Sequence, residues 1–313
     1  MLKLKDNLRG RDFISIHDFS REEIAYILEV GAELKKMQKS AIVHHYLAGK
    51  TLAMIFQKAS TRTRVAFEVG MYQLGGHALF LSPRDIQLGR GETIKDTAQV
   101  LTRMVDGIMI RTFGHEEVLE LAQWSTVPVI NGLTDLLHPT QVIGDLMTIK
   151  EHKGTLQGLK CAFIGDGNNV AHSLLFGGAK VGMDVAIASP GGFEADVSIL
   201  EMAREDAQES GARLQVLSDP VEAITDADVV YTDVWASMGQ EEEADDKEQH
   251  FLQYQVNRKL LSLARPDAIV LHCLPAKRGK EITDEVMDGP QSRVFEEAEN
   301  RLHAHKAIMA LLM

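Results

Sequence analysis

Apolar positions along the chain fall into two successive series in which short strand-like runs alternate with stretches of helical spacing. In the first series, apolar runs at residues 51–56, 77–82, 107–112 and 127–130 are separated by helical patterns near 62–74, 93–105 and 115–124. An earlier helix opens on a capping box at Ser20-Arg21-Glu22-Glu23, with Ile24, Ile27, Leu28 and Leu34 on its apolar face. A further helix begins near His138. The second series has runs at 159–164, 184–188, 214–217, 228–231 and 268–271, again with helical patterns between them. Strand alternating with helix is the pattern of parallel sheets covered on both faces. The predicted fold is α/β: two doubly wound parallel-sheet domains, 1–150 and 151–295, with the active site in the cleft between them. The boundary is expected at the polar stretch 150–154, and residues 296–313 are expected as a helix packing back on the first domain. No internal repeat is present, and the acidic run at 240–249 reads as a solvated loop able to act as a lid.

Composition narrows the function classes. A chain of 313 residues suits two domains of roughly 150 residues and can bury sizeable cores. It is 45% hydrophobic and 25% charged, as globular proteins are, and no apolar run approaches the ~18–20 residues that span a bilayer. The first residues lack the apolar stretch of a signal peptide, and the two cysteines, Cys161 and Cys273, lie in apolar strand-like runs. The expected location is therefore the reducing cytoplasm. A formal charge of −12 disfavours nucleic acid and anionic membranes as partners, since both require an extended basic surface.

Against that acidic background, Ser60-Thr61-Arg62-Thr63-Arg64 concentrates hydroxyls and guanidinium groups in a strand-to-helix turn. Backbone N–H groups there point outward beside the positive end of the helix dipole, and arginine grips oxyanions at two points. The turn reads as a cradle for a small dianion. In open parallel sheets, ligands bind beyond the carboxyl ends of the strands. Arg111 ends a strand and His138 and Gln141 follow one in the first half, as do Asn169, Asp233 with Ser237, and Cys273-Leu274 in the second. An arginine, an imidazole and an amide at one edge can polarise a carbonyl and hold the oxyanion that develops on it. Asp233 near Ser237 suits an ammonium group.

Other readings of the same residues are weaker. Gly165-Asp166-Gly167-Asn168-Asn169-Val170 lacks the third glycine of a dinucleotide fingerprint, and the next strand does not end in an acidic residue. Cys273 beside His272 invites a thiolate and base, but adjacent strand residues point to opposite faces. The segment's expected use is local shape, with Leu274-Pro275 ending the strand abruptly. No His, Cys, Asp or Glu group has the spacing of metal ligands, and His44, His45, His303 and His305 read as surface residues. No cofactor is expected.

The motifs together resemble the aspartate/ornithine carbamoyltransferase family. They are Ser-Thr-Arg-Thr-Arg at 60–64, His-Pro-Thr-Gln at 138–141, Asp-Gly-Asn-Asn at 166–169, Asp233 with Ser-Met-Gly at 237–239, and His-Cys-Leu-Pro at 272–275. The likeness runs end to end and includes Gln87-Leu-Gly-Arg-Gly91 and Glu297-Ala-Glu-Asn-Arg301. Ser-Met-Gly and His-Cys-Leu-Pro point to the ornithine branch. The resemblance implies that Ser60, Thr61, Arg62, Thr63 and Arg111 hold carbamoyl phosphate, with His138 and Gln141 near its carbonyl and amide. Cys273, Leu274 and Arg301 complete that pocket, and Gln87 reaches into a neighbouring subunit's site in a homotrimer. Asn169, Asp233, Ser237 and Met238 are implied to hold ornithine. Gln57 and Ala59 stand where many relatives have Glu and Pro, and Lys277 where His is frequent. The implied chemistry is a step of arginine metabolism that needs no cofactor. The side-chain amine attacks the carbamoyl carbon directly, with Arg62, Thr63, Arg111, His138 and Cys273 as the catalytic set.

Overall fold

Two parallel sheets carry the architecture of the computed structural model, which describes residues 3–84, 86–88, 91–236 and 244–313. The chain divides into two compact units. Unit 1 comprises Met1–Gly144 with Asn300–Met313, and unit 2 comprises Asp145–Glu299.

Unit 1 begins with α1 (Arg21–Lys39), held at its start by the Ser20/Glu23 capping box. There follow β1 (Thr51–Phe56), α2 (Thr61–Gln73), β2 (His77–Leu81), α3 (Ile94–Leu101), β3 (Gly107–Arg111), α4 (His115–Trp124), β4 (Val129–Leu133) and the start of α5 (Pro139–Lys153). The strand order is β2-β1-β3-β4, all parallel. β1 and β3, inside the sheet, are apolar almost throughout, as strands covered on both faces must be. β2, at the edge, is partly exposed. The fourth strand lies later than its apolar run predicts. Asn131 and Gly132 interrupt that run, but Asn131 is buried and donates its amide to the Ile14 carbonyl at 3.1 Å, which lets the strand continue. A register shift between Ile110 and Arg111 then re-aims the last residue of β3.

Unit 2 continues with β5 (Lys160–Ile164), α6 (Asn169–Val181), β6 (Asp184–Ala188), α7 (Val197–Ser210), β7 (Leu214–Leu217), α8 (Pro220–Ile224) and β8 (Val229–Thr232). It closes with α9 (Ala244–Phe251), α10 (Arg258–Leu261), β9 (Ile269–His272), α11 (Asp284–Met287) and α12 (Val294–Leu312). Its sheet order is β7-β6-β5-β8-β9, again parallel. Both sheets are thus doubly wound, each with one point where the strand order reverses. These points lie between β1 and β3 and between β5 and β8, where loops leave neighbouring strands in opposite directions and open a crevice.

α12 begins in unit 2 and ends in unit 1. Its later part is core: Ala304, Ala307, Ile308, Met309 and Leu312 are buried. It comes close to α2 because residue 70 is glycine; a Cβ there would sit 2.8 Å from the Met309 Cε and 3.3 Å from the Lys306 Cγ.

Candidate active site

In unit 1 the polar side chains gather where β1 and β3 end, with Phe56 and Arg111 paired in register. The Gln57 N–H donates to the Arg111 carbonyl at 2.8 Å, stitching the turn after β1 to the end of β3. The Gln57 amide donates to Glu117 Oε2 at 2.8 Å, and the same oxygen accepts from the Thr112 hydroxyl at 2.5 Å. Lys58 is buried by its ion pair with Asp135 and lies 4.2 Å over the Phe113 ring. Ser60, in extended conformation, caps α2 by accepting the Thr63 N–H at 3.2 Å. Its hydroxyl also donates to Thr63 Oγ1 at 3.0 Å, and that oxygen accepts from Arg301 Nη2 at 2.8 Å. Arg301 reaches this point because residue 144 of α5 is glycine; a Cβ there would stand 3.2 Å from Arg301 Cγ.

Thr61 is exposed and Arg62 half-buried in the first turn of α2, whereas Thr63, Arg111, His138, Gln141 and Arg301 are buried. Burial, followed by the positive fields of Arg301, Arg111, His305 and Arg62, holds the His138 imidazole well below its usual value of 6.5. A neutral imidazole among three guanidinium groups keeps one N–H to donate without adding charge. Cations converging beside a helix N-terminus favour a bound dianion, because each donor and each charge acts on it in a partly desolvated place. Gln87 lies after β2 and is exposed.

Unit 2 presents a second cluster where β5, β8 and β9 end. Thr232 pairs with Ile164 on one side and His272 on the other, so Asp233 and Cys273 leave adjacent strand ends together. The buried Asp233 carboxylate accepts from Cys273 Sγ at 3.0 Å and from the Val234 N–H at 2.8 Å, both at Oδ1. Its Oδ2 accepts from the Asn168 amide at 2.8 Å. Asn168 also caps α6, its Oδ1 accepting from the N–H groups of Val170 and Ala171 at 3.0 and 3.2 Å. A carboxylate offers about four lone-pair sites, so Asp233 has room for another donor such as an ammonium group. Asn169 is half-buried in the first turn of α6. Asp166 pairs with Lys247 at 3.4 Å; burial raises its carboxyl to about 6, with Lys247 opposing and Asp233 adding to the rise. Leu274, at φ 58°, stands before a cis peptide to Pro275, and its N–H donates to His272 Nδ1 at 2.9 Å.

Residues 11–151 match the family model described as "Aspartate/ornithine carbamoyltransferase, carbamoyl-P binding domain", and residues 157–312 match "Aspartate/ornithine carbamoyltransferase, Asp/Orn binding domain". The chain belongs to the aspartate/ornithine carbamoyltransferase family. It is 60% identical to the ornithine carbamoyltransferase of Carboxydothermus hydrogenoformans over 305 residues, which cover 97% of this chain and 98% of that one. It is 56% identical to that of Thermococcus kodakarensis over 307 residues, 98% of each chain. The solved structure of ornithine carbamoyltransferase from Pyrococcus furiosus superposes with a TM-score of 0.95 at 56% identity, covering 98% of both chains.

Within this carbamoyltransferase fold, several sequence expectations need correction. His272 and Cys273 are not held to opposite faces, because β9 ends at His272 and Cys273 is already outside the strand. Asp233, His272 and Cys273 each bring one possible metal-ligand atom to within 4.8 Å of the others, a grouping that linear spacing conceals because two strands supply it. Both nitrogens of His272 are engaged, Nδ1 by Leu274 and Nε2 by Glu281 Oε1 at 3.0 Å, so this imidazole does not fit a metal-ligand role without breaking those bonds. Burial and the Asp233 charge push the Cys273 thiol well above its ordinary value, which suits a donor and not a nucleophile. His44, His303 and His305 are buried, not at the surface. His305 stacks on Phe67 with ring centroids 4.1 Å apart, and Lys306 donates to Gln73 at 2.8 Å in the interior of unit 1. Ser237 and Met238 lie outside the described residues.

Sequence reasoning takes His305 for a surface residue, gives Asn168 no role of its own within its motif, and passes over Gly144. A signal existed for His305, which stands four residues after Arg301 on one helix face. For Gly144 there was none, since its role depends on which helix comes near.

Proposed function

We propose that this protein transfers the carbamoyl group of carbamoyl phosphate to the side-chain amine of L-ornithine, giving L-citrulline and phosphate. The observation that carries the reading is the neutral His138 set among Arg62, Arg111 and Arg301 beside the capped N-terminus of α2. Ser60, Thr61, Arg62, Thr63 and Arg111 hold the phosphate, and Gln141 holds the carbamoyl amide. The ornithine names of relatives 55–60% identical over nearly the whole chain support the acceptor.

In this reading the amine nitrogen bonds to the carbamoyl carbon, a tetrahedral intermediate forms, and the bond to the phosphate oxygen breaks. An alkylamine has a pKa near ~10.4 in water, so it gives up a proton before attack. Thr63, Arg111 and His138 donate to the carbonyl oxygen as its charge grows, and Arg62 and Arg111 neutralise the departing phosphate. Asn169, Asp233, Ser237 and Met238 hold the amino-acid end, Asp233 taking the α-ammonium at its remaining acceptor position. Cys273 donates to Asp233 and keeps it oriented.

Unit 1 thus serves carbamoyl phosphate and unit 2 serves ornithine. We assign the working form as a cytoplasmic homotrimer in which Gln87 acts in a neighbour's site. Support comes from the exposure of Gln87 and of the apolar Val65, Tyr72 and Leu79 on α2 and the edge strand β2. Among the described residues no helix is long and apolar enough to cross a membrane. The deciding experiment is a citrulline assay with carbamoyl phosphate and ornithine, run beside putrescine and aspartate as acceptors. Turnover confined to either rival acceptor refutes the assignment.

A further inference from the structure

We infer that Glu297 is a positioning residue for the amino-acid clamp, bracing the ends of β8 and β9 so that the Asp233 carboxylate and the Cys273 thiol meet. The clamp's role rests on the function proposed above; the brace itself rests on geometry. Glu297 is buried in the first turn of α12. Its Oε2 accepts from the His272 N–H at 2.8 Å, and its Oε1 accepts from the Tyr231 hydroxyl at 3.1 Å. His272 directly precedes Cys273, and Tyr231 lies two residues before Asp233. β9 is an edge strand, so an N–H on its outer side has no strand to pair with, and Glu297 takes that place.

A second carboxylate tightens the same point. Glu281 bonds the His272 ring at Nε2, while Nδ1 accepts from Leu274, so His272 is held by its backbone and by both ring nitrogens. Cys273 cannot shift without disturbing one of these bonds. The groups that face Glu297 are Asp145 from α5, Tyr231 from β8 and His272 from β9, with Asp233 and Cys273 just beyond. Asp145 is fully buried and shares a side-chain hydrogen bond with Glu297. Burial and then Asp145 push the Glu297 carboxyl up, against the pull of His272 and Tyr231. An apolar residue would fill this space at less cost, but it would leave the His272 N–H and the Tyr231 hydroxyl unpaired.

The test uses the full chain with Glu297→Ala, Glu297→Gln and Tyr231→Phe, read by citrulline kinetics and by the alkylation rate of Cys273 with iodoacetamide. Cys161 is buried with its thiol pushed up by desolvation, so alkylation reports on Cys273. In Glu297→Ala we expect the KM for ornithine to rise about tenfold or more with the KM for carbamoyl phosphate nearly unchanged, and Cys273 to alkylate faster. Glu297→Gln keeps an acceptor for His272 and a donor toward Asp145, and it restores most of both readouts. Tyr231→Phe shifts them in the same direction by less, and it decides the matter should Glu297→Ala not fold. A lowered melting temperature with ornithine KM and alkylation rate unchanged overturns the proposal. Wild-type protein that makes no citrulline refutes the proposed function instead, while the alkylation series still tests the brace.

Discussion

The charge state of single residues decides what the unit 1 cluster can do. His138, held neutral, contributes stability that is fully present above its ordinary value of 6.5 and is lost as the pH falls below it, because only the unfolded chain then takes up the proton. Burial, and after it the neighbouring cations, excludes the proton. Arg62→Ala removes one of them, and turnover should drop ~10²–10³-fold, the usual cost of one donor to a developing charge, with the circular-dichroism melt preserved. Near-normal turnover would remove Arg62 from the catalytic set. Gln57 is tied to the start of α4: its amide donates to Glu117, which Thr112 also approaches. Gln57→Glu would set two carboxylates face to face, so the melting temperature should fall, and fall further at pH 8 than at pH 5. An equal loss at both values would mean that the carboxylates do not meet.

Elements place these residues. Ser60 to Thr63 gather in one turn because an apolar strand ends at Phe56 and a capped helix begins at Thr61, and both signals are written in the local sequence. The loop after β5 is built the same way, with Asn168 capping α6, but its neighbour Asp166 carries a cost. With its carboxyl raised to about 6, the stability contributed by the protonated form is fully present below 3.8 and is lost as the pH rises through about 6. The loss is worth about 3 kcal/mol. Asp166→Asn cannot ionise, so its melting temperature relative to wild type should move upward between pH 4 and pH 8. A constant difference would show that Asp166 titrates normally.

For the whole molecule, two sheets with the same winding each bring a cluster to the point where strand order reverses. In the proposed reaction, carbamoyl phosphate is assigned to unit 1 and ornithine to unit 2. Calorimetry should find that ornithine binds more tightly once carbamoyl phosphate or phosphate is present. Full ornithine affinity in the phosphate-free protein would contradict ordered binding.

Periodicity and short motifs determined the two parallel-sheet domains, the strand-to-helix turn with its hydroxyls and arginines, and the family, because these depend on neighbours within a few residues. Only tertiary structure decided which distant groups meet: Arg301 against Thr63, Cys273 against Asp233, and Glu297 between β8 and β9. The helical segment at 296–313 and its return to the first domain are legible in the sequence, but His303 and His305 on it, read as surface residues, are core. A helix's own sequence sets its period and its caps, whereas burial of a polar residue depends on the partner that another element brings to it.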